Sequence, residues 1–292
     1  MRIVDTKAAL RAALSGPREE KLAIGLVPTM GALHEGHRSL LDAARRDCDV
    51  VVMSLFVNPA QFGPGEDLDR YPRRRDRDAE IAAEADVDLL YAPAVAEVYP
   101  EGFATHVAVE GLTDVLCGDP ARRGAEHFRG VTTVVAKLLN AVGPDVLYVG
   151  QKDAQQAVVI RRMVADLDFA TRVEVLATVR EADGLAMSSR NAYLEPGERV
   201  RAGALRRALL AAEGAAGPGR PTAAAIDAAQ RVLDEAGIEP EYLEARDTSA
   251  LLPVETFNGA PVLLAVAASV GGARLIDNVL IEPPSGGGAG GD

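Results

Sequence analysis

The segment LAIGLVPTMGALHEGHRSL, residues 22–40, sets the organisation of the chain. It begins with a short apolar run over 22–27, which has the length of a buried strand rather than of a helix. Pro28 ends this predicted strand, Gly31 permits a tight turn, and a helix is predicted to begin near Gly36. A strand, a turn and a helix N-terminus in this order form an anion site, because unpaired backbone N–H groups and the positive end of the helix dipole meet there.

Two histidines, His34 and His37, lie at this predicted anion site, separated by Glu35 and Gly36. Their spacing matches neither a Walker A loop nor the G-x-G-x-x-G dinucleotide fingerprint. A zinc site would need further ligands that the neighbouring sequence lacks, and the adjacent Glu35 would point away from the histidines on a helix. The two imidazoles could simply satisfy backbone groups of the turn. The H-x-G-H pattern directly after a strand and a turn nevertheless favours a functional site for phosphate.

Length and composition restrict the class of protein. A chain of 292 residues favours two domains, and a hydrophobic fraction of 48% is sufficient for a sizeable core. The 31 basic and 43 acidic residues give a net charge of −12, which argues against a nucleic-acid-binding surface. Cys48 and Cys117 are too few for a disulfide framework or a zinc cluster, and we expect two buried thiols in a reducing compartment.

The N-terminus MRIVDTKAALRAAL predicts an amphipathic helix over 6–15, capped by Asp5 or Thr6 and ended by Gly16-Pro17. It does not have the pattern of a signal peptide, and no apolar run reaches the roughly 20 residues of a membrane span. We therefore expect a cytoplasmic protein without a membrane partner.

The first 180 residues alternate between apolar strands and amphipathic helices. This alternation predicts a Rossmann-like, doubly wound parallel α/β sheet with ligands at the carboxyl ends of its strands. After the strand and helix at 22–47, strands are predicted at 49–58, 87–93, 145–150 and 172–179, with a short one at 105–111, and helices at 73–85, 130–143 and 151–167.

The pattern changes after residue 180. A polar loop at 181–194 is followed by two Ala-rich helices and three strands, which predict a smaller α+β domain with an antiparallel sheet. The helices are predicted at 196–215 and 222–236 and the strands at 242–247, 261–270 and 273–282, with Gly271-Gly272 as a hairpin turn. We thus expect one domain over 1–179, a lid domain over 180–283 and a disordered Gly-rich tail over 284–292.

Two further loops carry cations suited to phosphate. Lys152 lies in GQKDAQQ, residues 150–156, at a predicted helix N-terminus, where a positive charge is unfavourable unless an anion neutralises it. Its alternative role is that of a surface lysine paired with Asp153. The segment MSSR, residues 187–190, offers two hydroxyls and a guanidinium that can fork onto phosphate oxygens, although Ser-Ser-Arg also occurs in ordinary surface loops.

Five segments, taken together, resemble one enzyme family. The strand–H-x-G-H–helix unit and the later MSSRN loop are similar to the nucleotidyl-transferase superfamily, and more narrowly the chain resembles the pantoate–β-alanine ligases over residues 1 to about 283. The segments that carry this resemblance are PTMGALHEGH, FVNPAQFGPGEDLDRYPR, HFRGVTTVVAKLLN, GQKDAQQ and VREADGLAMSSRNAYL.

The resemblance implies ATP-dependent condensation of (R)-pantoate with β-alanine through a pantoyl adenylate, with release of AMP and pyrophosphate. It implies His37, His34, Lys152 and Arg190 as catalytic residues. It also implies an ATP site formed by Met30, Gly31, Ala32, Leu33, His34, Glu35, Gly36, His37, Gly150, Gln151, Lys152, Asp153, Val179, Met187, Ser188, Ser189 and Arg190.

By the same resemblance, Gln61 and Gln156 bind pantoate and Gln61 also lies near β-alanine. Asn58 either supports Gln61 or caps the loop after its strand. Mg²⁺ is expected through the ATP phosphates, with no protein ligand assigned, and a homodimer is expected. The loop at 179–190 and the second domain are expected to close over ATP, because an acyl adenylate must be shielded from water.

Some features depart from the family pattern or leave alternatives open. Gln151 stands where the family usually has Glu, and arginines precede Asp76 and Asp78 after the YPR motif. His127 and the neighbouring Arg129 are interpreted as structural, although Arg129 could reach a substrate. The alternatives in function are another H-x-G-H nucleotidyl transferase, an RNA-binding synthetase-like protein, which the charge disfavours, and a nucleotide sensor without catalysis.

Overall fold

The computed structural model describes residues 1–63 and 65–282. The chain folds into two compact units. The first comprises residues 1–179 together with 187–189, and the second comprises residues 180–186 together with the chain from residue 190. The predicted disordered tail at 284–292 lies outside the described residues.

The first unit contains a six-stranded sheet in which every pairing is parallel. Its spatial order is β1-β4-β3-β2-β5-β6. The strands are β1 Arg2–Val4, β2 Ile24–Thr29, β3 Val50–Leu55, β4 Leu89–Tyr91, β5 Val146–Gly150 and β6 Arg172–Leu176. The chain runs outward from β2 to β3 and β4 on one side and continues through β5 and β6 on the other, so the order reverses between β2 and β5. The predicted doubly wound sheet is confirmed, and its switch point lies where the H-x-G-H and GQKD loops begin.

The described residues of this unit include the helices α1 Lys7–Glu19, α2 Glu35–Asp47, α3 Arg75–Glu84, α4 Val95–Val98, α5 Ala125–Val142 and α6 Ala154–Asp166. The central strands are buried between the helical layers, which is why they read as continuous apolar runs. Leu26, Val51 and Leu147, for example, have no exposed surface.

Two local predictions in this unit are wrong, and one short strand was not predicted. Pro17 was predicted to end the first helix, but it lies inside α1, near the C-terminal end. The helix continues past it, and Glu20 N–H donates to Gly16 O at 3.0 Å. Residues 2–4 form the edge strand β1, because Ile3 and its neighbours pair with β4, and Thr6 then caps α1. The strand expected at 105–111 is absent from the described residues, since Val107 bonds through N–H and C=O to threonine hydroxyls of α5.

The second unit contains the predicted helices and antiparallel sheet. The helices are α7 Pro196–Ala202, α8 Ala204–Ala215 and α9 Thr222–Glu235, and the strands are β7 Pro240–Asp247, β8 Val262–Val270 and β9 Ala273–Ile281 in the order β7-β8-β9. The helix predicted over 196–215 is divided at Gly203, a residue with low helix propensity. Gly271, at φ +57°, forms the predicted hairpin turn between β8 and β9. Of the helices described, none has the length and apolarity needed to cross a membrane.

Candidate active site

The loop after β2 has an unusual backbone that a buried carboxylate holds. Gly31 and Ala32 have φ values of +90° and +52°, so two successive residues lie in the left-handed region. Asp78 on α3 accepts hydrogen bonds from Ala32 N–H at 3.0 Å and from Leu33 N–H at 2.8 Å. Asp78 is only 2% exposed, so its carboxylate is buried. In the sequence Asp78 stands out only as an acid after the arginines, so this role was missed there.

The two histidines form a reciprocal cap at the N-terminus of α2. His34 Nδ1 accepts from Gly36 N–H at 3.1 Å, and His37 Nδ1 accepts more weakly from His34 N–H at 3.4 Å. The ring centroids are 4.1 Å apart and the planes are tilted by 42°. Because each Nδ1 accepts a hydrogen bond, the proton of each neutral imidazole lies on Nε2.

These contacts correct the predicted nature of the anion site. The N–H groups of residues 32, 33, 34 and 36 are all bonded inside the protein, to Asp78 or to an imidazole, and do not remain unpaired as the strand–turn–helix pattern predicts. The sequence left two interpretations of the histidines, backbone caps of the turn or hydrogen-bond donors for a phosphate. The contacts show that the imidazoles cap the turn, and this role is compatible with a donor role. The imidazoles accept hydrogen bonds from the turn backbone, and each therefore carries its proton on Nε2.

The electrostatic environment keeps His37 neutral. Burial lowers the pKa of His37 to about 3, with the neighbouring His34 and the charge of Lys152 contributing in the same direction. At neutral pH the residue therefore presents a hydrogen-bond donor and carries no positive charge. The influence of Lys152 on this pKa also indicates that its ammonium group lies within electrostatic range of the imidazole pair.

Lys152 belongs to the short 3₁₀ turn Gln151–Asp153, which follows Gly150 at the end of β5. The two glutamines after this turn have different environments. Gln155 is buried, accepts from Cys117 N–H at 3.0 Å and donates to the carbonyl groups of Leu112 and Val115. Gln156 is partly exposed. The structure thus leaves Gln156, the glutamine that the resemblance assigns to pantoate, on the accessible side of α6.

Gln61 follows β3 in a short 3₁₀ turn, Pro59–Gln61, and its side chain is oriented by Asn58. Asn58 Nδ2 donates to Gln61 Oε1 at 2.9 Å and to Gly130 O at 3.0 Å, while its Oδ1 accepts from Ala60 N–H and Tyr99 OH. A backbone carbonyl only accepts and a backbone N–H only donates, so the orientation of the Asn58 amide is unambiguous. Asn58 therefore both supports Gln61 and caps the turn.

The same contacts determine the polarity of Gln61. The carbonyl oxygen of its amide accepts from Asn58, which fixes the orientation of the amide and identifies the other end as the NH₂ donor. Gln61 can therefore donate to a hydroxyl or carboxylate oxygen.

Helix α5 contributes residues that the sequence alone did not assign to the site. Gly130 lets the 58–61 turn approach closely, since a Cβ there would lie 2.1 Å from Ala60 O. His127 Nδ1 donates to Gln61 O at 2.7 Å, and burial followed by the charge of Arg123 lowers the pKa of His127 to about 4. Arg123 in turn bonds to Glu66 through Nε and Oε1 at 2.8 Å. The HFRG motif was the available signal, but only tertiary contacts give it this meaning.

The segment around residues 179–190 is divided between the two units. Met187, Ser188 and Ser189 belong to the first unit, and Met187 N–H donates to Val179 O at 3.0 Å. A Cβ on Gly36 would lie 3.9 Å from Met187 Cβ, so this segment runs beside the N-terminus of α2. Arg190 belongs to the second unit.

Contacts within the second unit hold both flanks of this segment. Arg180 forms two hydrogen bonds with the buried Asp277, at 2.7 and 3.0 Å. Asn191 Nδ2 donates to Glu181 Oε1 at 2.6 Å and to Ala186 O at 3.0 Å.

The residues do not form a metal site of their own. Among residues 1–63 and 65–282, no group of three or more His, Cys, Asp or Glu side chains is arranged to hold a metal ion.

A doubly wound sheet with paired histidines and a lysine at its switch point defines an α/β enzyme of the nucleotide-binding type. Comparison with known proteins gives the particular family. The family model described as pantoate–beta-alanine ligase matches residues 2–280. The pantothenate synthetase of Moorella thermoacetica is 54% identical over 284 residues, which cover 97% of this chain and 99% of that protein.

Solved structures agree. The pantothenate synthetase of Thermus thermophilus is 50% identical with a TM-score of 0.90, covering 97% of this chain and 100% of that chain. The pantoate–beta-alanine ligase of Francisella tularensis, complexed with beta-gamma ATP and beta-alanine, is 32% identical with a TM-score of 0.79, covering 96% and 98%. The chain belongs to the pantoate–beta-alanine ligase family, and the predicted ATP-dependent ligation of pantoate with β-alanine is confirmed.

Proposed function

We propose that the predicted site residues carry this ligation through a pantoyl adenylate. The observation that supports the proposal most strongly is the pair of His34 and His37, with protons directed to Nε2, in electrostatic range of Lys152 at the sheet switch point. Two donors and one cation in this place suit the phosphates of ATP. The Francisella relative was solved with beta-gamma ATP and beta-alanine, which supports a nucleotide and an amine acceptor.

The chemistry requires activation because a carboxylate does not acylate an amine at neutral pH. In the first step a pantoate carboxylate oxygen attacks the α-phosphorus of ATP, the bond from that phosphorus to the bridging oxygen breaks, and pyrophosphate leaves. In the second step the β-alanine amine attacks the acyl carbon, loses a proton, and displaces AMP. Both steps depend mainly on positioning and on stabilisation of developing charge.

Each proposed residue suits a different part of this sequence. His34 and His37 donate from Nε2 to phosphate oxygens as neutral groups, and Lys152 and Arg190 compensate the charge on the leaving pyrophosphate. Ser188 and Ser189 donate hydrogen bonds to the nucleotide. Gln61 donates from its NH₂ group to pantoate and lies near β-alanine. Gln156 contacts pantoate. The remaining nucleotide contacts are assigned to residues 30–37, 150–153, Val179 and Met187.

We further propose that Mg²⁺ is bound through the ATP phosphates and water molecules, as this ion commonly is. The predicted homodimer and cytoplasmic location are retained as proposals. Cys48 and Cys117 are both buried, which is compatible with a reducing compartment. Sedimentation of the purified chain at micromolar concentration would test the dimer, and a single monomer-sized species would refute it.

The proposed route is tested by measuring pyrophosphate and AMP release from Mg-ATP, first with pantoate alone and then with β-alanine added. Stoichiometric pyrophosphate with pantoate alone, which becomes catalytic together with AMP when β-alanine is present, is the expected result. Pyrophosphate release that does not require pantoate would instead indicate a different acceptor, and an absence of release without β-alanine would contradict a free-standing adenylation step.

A further inference from the structure

Asp78 has an environment that is unusual for a surface-helix acid. It lies at the start of α3, where its residue is 2% exposed, whereas Asp76 in the same turn is exposed. Its two oxygens accept from the consecutive N–H groups of Ala32 and Leu33. The N-terminal end of α3 adds a favourable dipole. These three contributions offset the cost of burying a carboxylate.

Without these hydrogen bonds, the conformation of the loop over residues 31–33 would be energetically unfavourable. Ala32 has φ +52°, a region that non-glycine residues seldom adopt and that costs free energy. Gly31 has φ +90°, and a Cβ on it would lie 2.9 Å from both Asp78 Oδ2 and Leu55 Cδ1. The loop is therefore packed against the carboxylate, and its next residue is His34.

We infer that Asp78 is a positioning residue for ATP: by holding the 31–33 backbone in its left-handed conformation, it places His34 and the residues around it for the nucleotide. The inference rests on the proposed nucleotide role of residues 30–37. Asp78 acts through the loop and not on the substrate, because its oxygens face the loop backbone. It is a specific requirement of the ATP site beyond its contribution to stability.

The test is Asp78→Asn, which keeps the size of the side chain and replaces one accepting oxygen with an NH₂ group that faces a backbone N–H. We expect the KM for ATP to rise by roughly ten- to hundredfold, since hydrogen bonds to a charged group are among the stronger ones. The KM values for pantoate and β-alanine should change by less than about threefold, because Gln61 is held by Asn58 and His127 and not by Asp78. Asp76→Asn, in the same turn but exposed, is the matched control and should retain the KM for ATP.

A second variant tests the route of the effect. Ala32→Gly allows the left-handed conformation without strain. Combined with Asp78→Asn it should recover a severalfold part of the lost ATP affinity, and this recovery should exceed any change in the KM values for pantoate and β-alanine. Should Asp78→Asn not fold, Asp78→Glu carries the same expectation, since it keeps the charge but moves the carboxylate by one methylene.

The outcomes separate this inference from the proposed function. An unchanged KM for ATP in Asp78→Asn, an equal rise for all three substrates, or an absence of rescue by Ala32→Gly would overturn the role of Asp78. If the wild-type enzyme released no pyrophosphate, the proposed route would fail instead. The ring ¹⁵N resonances of His34 would still report on Asp78 without ATP. They should shift in Asp78→Asn, while those of His106 stay unchanged, and an unshifted His34 would refute the inference.

Discussion

The loops after β2 and β3 are each held by a partly buried histidine, and the two histidines hold them in opposite ways. His37, beside the loop after β2, accepts a backbone N–H at Nδ1 and so carries its proton on Nε2. His127, beside the loop after β3, donates from Nδ1 to Gln61 O and so carries its proton there. Burial lowers the pKa of both, to about 3 and about 4. The backbone partner decides the tautomer, and with it which ring nitrogen can donate a hydrogen bond and which can accept one.

The largest effect, on kcat, is expected when His37 is replaced by a residue with a side-chain amide. In His37→Asn the amide can replace Nδ1 as an acceptor but supplies no donor at the place of Nε2, so kcat should fall by about 10²- to 10³-fold, as for loss of a transition-state donor. His37→Gln can reach the place of Nε2 and should lose less. Single-turnover pyrophosphate release measures this, and equal losses in the two variants would contradict the assigned tautomer.

The next effect concerns the close approach between α5 and the turn that carries Gln61. Gly130→Ala places a Cβ 2.1 Å from Ala60 O, so the turn must move and Gln61 must move with it. We expect a loss of about 1–3 kcal/mol in the free energy of unfolding, as for overpacking, and a raised KM for pantoate. Gly197→Ala is the control, because nothing lies within 4 Å of its added Cβ. Urea unfolding with pantoate kinetics would decide, and a KM like that of wild type would contradict the role of Gly130.

A smaller effect is expected when His127 is replaced by Asn or Gln, and here Asn should be the better replacement. His127→Asn can donate from the place of Nδ1 and should retain most of the affinity for pantoate. His127→Gln lacks that donor and should raise the KM for pantoate by about tenfold, the equivalent of one hydrogen bond. The kcat should change little in both. If Asn and Gln ranked in the same order at positions 37 and 127, the contrast between the two histidines would be wrong.

A separate effect is expected on the dependence of stability on pH. Both histidines have folded pKa values far below the unfolded value of 6.5. Between the folded and unfolded pKa values, the unfolded chain binds protons that the folded chain does not. The free energy of unfolding is therefore not reduced by these groups above pH 6.5, and it falls as the pH decreases toward about 4 for His127 and about 3 for His37. The limiting slope is about 1.4 kcal/mol per pH unit for each group. Chemical unfolding at about pH 5 and pH 7, on either side of the unfolded pKa, should show a shallower slope in His127→Asn than in wild type, and identical slopes would contradict the lowered pKa.

Much of the architecture could be predicted because it depends on local pattern. Apolar runs of strand length alternate with amphipathic segments, and this pattern alone indicates the parallel sheet and the smaller antiparallel one. The errors occurred where tertiary contacts outweighed that pattern. Residues 2–4 became a strand because β4 offers an edge, and residues 105–111 did not because threonines of α5 take up the backbone groups of Val107.

The candidate site shows the same division. Its residue types and their order along the chain, from H-x-G-H through GQKD to MSSR, were readable in the sequence and already pointed to phosphate chemistry. Roles that depend on a distant partner were not readable. Asp78 lies 46 positions after Ala32, and His127 lies 66 positions after Gln61, and no spacing rule connects such pairs.

The sequence by itself therefore determined the order of the elements, the chemical groups at the strand ends and the family of ligases to which they belong. The tertiary structure alone decided which atoms of those groups are available. A side-chain amide or imidazole has both donor and acceptor sites, and the partner that occupies one of them settles which remains. The folding and packing of the backbone around the group determine that partner. Asn58 with Gln61 and His34 with His37 are examples within single turns. His127 with Gln61 is an example between distant segments.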